Sequence, residues 1–196
     1  MSTSDTAAPV RLPTVPEAAA VGQTAELYAR IRDHFGLGLV PDVFQLVSTR
    51  PSFLRVLFDG YLSMFAEGVL PREVKEMIAT LVARENSCGY CVGAHTLLLE
   101  LLGSGPEVVD AARSASIDEM PVDDKVRDLL RFVVSLTRHA YRVTDEDFDR
   151  LRETGWSDEQ LLEAVWVAGL FNAIVRMVET LGLYHLGQLG QFGPNE

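Results

Sequence analysis

The residues best suited to chemistry lie in one short segment, Cys88-Gly-Tyr-Cys91-Val-Gly-Ala-His95, which holds both cysteines of the 196-residue chain. On a helix, Cys88, Cys91 and His95 stand at i, i+3 and i+7 and share one face. A thiol in a first helical turn sits among unpaired N–H groups at the positive end of the helix dipole, which favours the thiolate, the reactive form. His95, one turn beyond Cys91, is placed to take a proton from it. A carboxylate bonded to the other ring nitrogen would fix the imidazole tautomer and raise its basicity. Glu76 is the candidate for that carboxylate: it lies twelve residues before Cys88, about a third of a turn off the cysteine face of an unbroken helix. A break at Asn86-Ser87 would fold it back. Glu100 is the rival, but it sits five residues past His95 and points elsewhere.

The elements that must position these groups read as helices. Leu27, Ile31 and Phe35 recur at i, i+4 and i+8, and Gly36-Leu-Gly38 ends that run. Pro41 and Pro51 stand where new helices begin, the second running to about Glu67 with Phe53, Leu54, Leu57, Phe58, Tyr61, Leu62 and Phe65 on a broad apolar face. Arg72-Glu73 opens a helix carrying Val74, Met77, Ile78, Leu81 and Val82 and ending near Arg84 or Glu85. Asn86 and Ser87 are N-cap types, so the next helix is expected to start at Cys88 and run to Gly103. Four more follow: 106–113, 123–139, 145–154 and 157–181, with Thr144 or Asp145 and Ser157 as caps. Nothing reads as a strand, so the fold class is all-α. Residues 1–16, with Pro9, Pro13 and Pro16, read as an extended N-terminal arm, and 17–196 as a single helical domain. The segment 73–82 can be laid on 125–134 with matching apolar positions. Any two amphipathic helices align about as well, so an internal duplication stays an open reading.

Composition narrows the function classes. Asp and Glu number 28 against 17 Lys and Arg, a formal charge of −11 that repels phosphate backbones and anionic lipid, so neither nucleic acid nor a membrane surface is expected as a partner. The stretch 161–175 is interrupted by Glu163 and Asn172 and falls short of the roughly 20 residues of a membrane span. The start of the chain lacks the basic and apolar regions of a secretory signal, so a cytoplasmic location is expected. In a reducing compartment two such thiols point to redox or metal chemistry before a structural bridge. Zinc wants four ligands; Cys88, Cys91, His95 and Glu76 could just supply them, but no second C-x-x-C or paired histidine exists, and no metal is expected. A c-type haem would need histidine where Val92 stands. His34, His139 and His185 read as surface or cap residues, and Trp156, Trp166, Phe132, Phe148, Phe171 and Phe192 as core or subunit contacts. Tyr61, Met64 and Phe65 could line a pocket over the thiols, with core packing the plainer alternative.

Glu76 followed by Cys88-x-x-Cys91-x-x-x-His95 resembles the alkylhydroperoxidase D-like (AhpD-like) proteins of the carboxymuconolactone decarboxylase superfamily. Pro41-Asp-Val-Phe44, Leu70-Pro-Arg-Glu73, Asn86-Ser-Cys-Gly-Tyr-Cys91, Gly155-Trp-Ser-Asp-Glu, Phe171-Asn172 and Leu181-Gly-Leu183 resemble its peroxidase-related branch, over about residues 25 to 185. The resemblance implies an AhpD-like all-helical fold, a homo-oligomer, trimer or hexamer, and thiol peroxidase or disulfide reductase activity. It further implies that Cys91 attacks a peroxide and becomes a sulfenic acid, that Cys88 condenses with it to a disulfide, and that His95 and Glu76 form the relay that deprotonates Cys91. Tyr90 stands where the best-known peroxidase of the family has a histidine. A phenol that titrates near pH 10 is a poor base at about pH 7, so Tyr90 is an accessory residue at most. No cofactor is expected, since electrons arrive by exchange from an external dithiol. Two other readings stand beside this one: a decarboxylase-like lyase using His95 and Glu76 as its acid–base pair, and a non-catalytic helical oligomeric binding module.

Overall fold

Prolines and glycines set where the helices start and stop. In a computed structural model that describes residues 10–66 and 68–192, helix α1 spans Gly22–Phe35 and closes on Gly36 in the left-handed conformation, φ 64°. Pro41 immediately precedes the short α2, Asp42–Gln45. Pro51 is the first residue of α3, Pro51–Phe65, and Pro71 immediately precedes α4, Arg72–Glu85. Then come α5, Gly89–Leu101, and α6, Pro106–Ser114, with its proline in the first turn. The remaining helices are α7, Asp124–His139, α8, Asp145–Glu153, and α9, Asp158–Leu181. Among the described residues the connections are turns and short 3-10 segments and none is a strand, so the fold is all-α.

The chain gathers into two compact units, one made of residues up to Ser63 together with those from Met177, the other of Met64–Arg176. In the first, Leu27, Tyr28 and Ile31 of α1 are buried, and the rings of Phe35, Phe44, Phe58 and Tyr61 pack edge-on or tilted at 5.0–5.7 Å. The expected N-terminal arm is tied to this unit along its later half. The Tyr28 hydroxyl donates to the Val15 carbonyl, and the Val15 N–H donates to the Ser48 hydroxyl. Arg11 donates to the carbonyls of Glu179 and Thr180 in the last turn of α9, where a cation meets the negative end of the helix dipole. Residues 1–9 of the arm lie outside the described residues.

The second unit is built around α4. Periodicity predicts one apolar face, yet every residue from Val74 to Ala83 is buried, because α5, α6 and α7 all pack against this helix. Three of those buried residues are polar, and each is satisfied. The Thr80 hydroxyl donates back to the Glu76 carbonyl. Lys75, 1% exposed, places Nζ 2.5 Å from Glu163 Oε1 and 2.9 Å from the Ala66 carbonyl. Glu163 Oε2 accepts the backbone N–H groups of Val69 and Leu70. Burial pushes the Glu163 carboxyl up, but Lys75 and those two N–H groups outweigh it and hold it below the ordinary carboxylate value. A Cβ at Gly68 would stand 1.9 Å from Glu163 Oε1, so any larger residue there has to displace the ends of the Glu163 and Lys75 side chains from each other.

Caps close the rest of this unit. Thr144 and Asp147 form a reciprocal capping box at the head of α8, and Ser157 and Gln160 exchange the equivalent bonds ahead of α9. Helix α9 is, by length and composition, apolar enough to cross a membrane, and half of that apolar stretch is buried in the structure. Its polar interruptions, Glu163 and Asn172, hold partners within this unit.

Candidate functional site

The turn between α4 and α5 places the cysteines, and it departs from the expected capping. Asn86 closes α4, Ser87 takes the left-handed conformation at φ 58°, and the N–H groups of Ser87 and Cys88 donate to the carbonyls of Arg84 and Ala83. This is the paired-bond helix ending usually built on glycine at the Ser87 position. Asn86 and Ser87 therefore end one helix rather than cap the next. The N-cap of α5 is Cys88, whose Sγ accepts the N–H of Cys91 at 3.4 Å. Asn86 is fixed from α9 as well: its Nδ2 donates to the Val82 carbonyl and to Asn172 Oδ1 at 3.0 Å.

Cys88 and Cys91 are both buried and joined as a disulfide, with Cα atoms 5.3 Å apart. Cys91 is the third residue of α5, inside the first turn where unpaired N–H groups and the helix dipole favour an anion. His95 follows one turn later on the same helix and is 7% exposed. Tyr90, between the cysteines, is buried.

The carboxylate that meets His95 comes from α4. Glu76 Oε2 lies 2.5 Å from His95 Nδ1, and Glu76 is fully buried. Its other oxygen, Oε1, accepts from Arg72 one turn earlier, with Nε at 2.6 Å and Nη2 at 2.5 Å. A carboxylate oxygen accepts, so Nδ1–H of His95 is the donor and Nε2 is the nitrogen left to take a proton. Two rings hold the imidazole in plane: Phe171 meets it edge-on at 4.6 Å, and Phe65 lies tilted at 5.3 Å. Glu100, the rival carboxylate, is engaged with Arg113.

Arg72 is the member that reading the sequence missed. The signal was present, an Arg four residues before the candidate Glu on one helix, a spacing that brings two side chains together. Phe171, assigned to packing, packs against the imidazole. Of the residues considered for a pocket over the thiols, Phe65 is the one in contact with His95, whereas Tyr61 packs with Phe35 and Phe44. A pocket of about 440 Å³ lies beside this group, lined by Phe65, Ala66, Gly68, Leu70 and Arg72. Among the described residues, no group of three or more His, Cys, Asp and Glu side chains is arranged to hold a metal.

Comparison with known proteins shows what the chain is similar to. A family model described as the carboxymuconolactone decarboxylase family matches residues 51–120, the stretch that contains Glu76, both cysteines and His95. An alkyl hydroperoxide reductase of Mycobacterium tuberculosis is 33% identical over 91 residues, 46% of this chain. The chain covers 26% of that relative's length. The solved AhpD core of a peroxidase-related protein from Ralstonia eutropha JMP134 superposes with a TM-score of 0.84 at 26% identity, covering 95% of this chain and 96% of that one. A peroxidase-related protein from Silicibacter sp. TM1040 gives 0.80 at 25% identity, over 98% and 100%. A family segment that spans the α4–α5 site and a likeness that runs nearly the whole length of two solved chains lead to one conclusion: residues 51–120 match the carboxymuconolactone decarboxylase family, and the chain has the all-helical AhpD-like fold.

Proposed function

We propose that this protein is a thiol-dependent oxidoreductase that reduces a hydroperoxide or a disulfide through Cys88 and Cys91, with His95 and Glu76 as proton relay. The observation that carries the reading is that two sulfurs within bonding reach open the helix that also bears an imidazole held by a buried carboxylate. In the reduced protein His95 Nε2 takes the Cys91 proton. The thiolate attacks a hydroperoxide oxygen, the O–O bond breaks, and the alcohol leaves with the returned proton while Cys91 becomes a sulfenic acid. Cys88 then attacks that sulfur, the disulfide forms and water leaves. An external dithiol restores both thiols by exchange and is itself oxidised. The protein works in the cytoplasm as a homo-oligomer in this reading; Leu162 and Trp166, exposed on α9, are apolar surface that such an assembly would cover. Likeness to an alkyl hydroperoxide reductase and to two peroxidase-related proteins supports it.

The test is a thiol count on reduced protein titrated with cumene hydroperoxide. The expected result is loss of both thiols in the wild type, no peroxide-dependent loss in Cys91→Ser, and arrest at a dimedone-reactive sulfenic acid in Cys88→Ser. Thiols that stay unreactive in the folded wild type overturn the proposal. Turnover that survives the double Cys→Ser change would move the assignment to a lyase using His95 and Glu76.

A further inference from the structure

Four side chains close a circuit around the imidazole. Arg72 donates through Nε and Nη2 to Glu76 Oε1, Glu76 Oε2 meets His95 Nδ1, and the His95 ring lies against Phe65. The circuit returns to its start because Arg72 Nη1 donates to the Phe65 carbonyl at 2.6 Å and its guanidinium lies over the Phe65 ring, 4.9 Å from the centroid. A fully buried carboxyl group without a cationic partner neutralises by carrying a proton, and could then donate that proton to Nδ1 and leave the ring proton on Nε2. Here the guanidinium fork occupies Oε1, which leaves Oε2 aimed at the ring, and the same fork holds the aromatic wall on the ring's other side.

We infer that Arg72 is a positioning residue for the relay: by holding Glu76 and Phe65 together it selects the His95 tautomer with the proton on Nδ1. The inference rests on the relay reading above only for its effect on rate. The other charges on this part of α4 are engaged elsewhere, Lys75 with Glu163 and Glu73 with the Ser104 hydroxyl. The contacts His95 makes from α5 reach α4 through Glu76, α9 through Phe171 and the end of α3 through Phe65.

The experiment is ¹⁵N NMR of ring-labelled histidine in the folded, full-length protein, with hydroperoxide turnover measured alongside. The wild type is expected to show one His95 tautomer, protonated on Nδ1. Arg72→Met is expected to show a mixture with a substantial Nε2–H fraction and a kcat about tenfold lower at unchanged KM, since general-base catalysis needs the correct tautomer. Arg72→Lys, which still reaches Oε1, is expected to recover the single tautomer. Arg72→Gln is the second variant should the methionine protein fail to fold; it keeps a donor without the charged fork and is expected to show the mixture as well. A single unchanged Nδ1–H tautomer in folded Arg72→Met or Arg72→Gln overturns the inference. The NMR signature needs no thiol chemistry, so silent cysteines would defeat the proposed function and leave the assignment of Arg72 intact.

Discussion

Lys75 and Glu76 are neighbours on α4, both sealed from solvent, about 100° apart around the helix. Each is a buried charge that has to be met inside the protein, and the two are met differently. Lys75 ends on Glu163 and the Ala66 carbonyl, and Glu163 is itself filled by the Val69 and Leu70 N–H groups. Every bond in that set closes on a carboxylate, an ammonium or backbone, so it ties down Ala66, Val69 and Leu70 and can do little else. Glu76 ends on an imidazole, which has a second nitrogen and can pass a proton on. In the proposed function the buried charge whose chain of bonds ends on a proton-exchanging group takes part in the chemistry, while the one that ends on fixed charges and backbone holds the fold.

The comparison is broken most forcefully at the Lys75–Glu163 pair. Glu163→Ala leaves a buried ammonium and two N–H groups without their acceptor, and the expected loss is about 3–5 kcal/mol of unfolding free energy, read by urea denaturation. Hydroperoxide turnover per folded molecule should stay within about twofold of wild type, a factor below 0.5 kcal/mol. Loss of turnover without loss of stability would reverse the assignment of the two pairs. Glu76→Gln should do the opposite, with kcat down about 100-fold and stability down by about 1 kcal/mol. Steady-state kinetics beside denaturation checks both halves, and a variant at full rate would put Glu76 in the same class as Lys75.

Acid sharpens the contrast further. Glu163 titrates below its ordinary value of 4.5 in the folded chain. Its contribution to stability is therefore fully present above the unfolded value and is lost as pH falls through the lowered folded one. Unfolding free energy followed downward from pH 4.5 should fall less steeply in Glu163→Gln than in wild type; equal slopes would mean that Glu163 is not held by Lys75 and the two N–H groups. The smallest effect belongs to the turn. Ser87→Gly relieves a left-handed serine and should raise stability by about 0.5–1 kcal/mol, with the thiol count unchanged. A destabilised Ser87→Gly would show that the serine contributes more than its backbone angle costs.

Much of this molecule could be read without coordinates because its information is local. Helix positions follow from apolar spacing and from Pro and Gly, and they agree with the observed elements to within a residue or two at most ends. The step from Cys91 to His95 needs nothing beyond helical periodicity. The Asn86-Ser87 break was visible, but its sense was not. Asparagine and serine serve at either end of a helix, and whether Ser87 turns left-handed depends on what receives the neighbouring N–H groups.

Contacts between segments far apart in sequence had no local signature. Helical spacing already sets Glu100 aside and leaves Glu76 as the candidate partner of His95, but the bond between them is made only by the packing of α4 against α5. Full burial of α4, the meeting of Lys75 with Glu163 from a helix 88 residues on and the ring of Phe171 against His95 all arise in the same way. Periodicity reports which way a side chain points around its own axis. The group it finds there is set by how helices pack, and packing is a property of the folded chain as a whole.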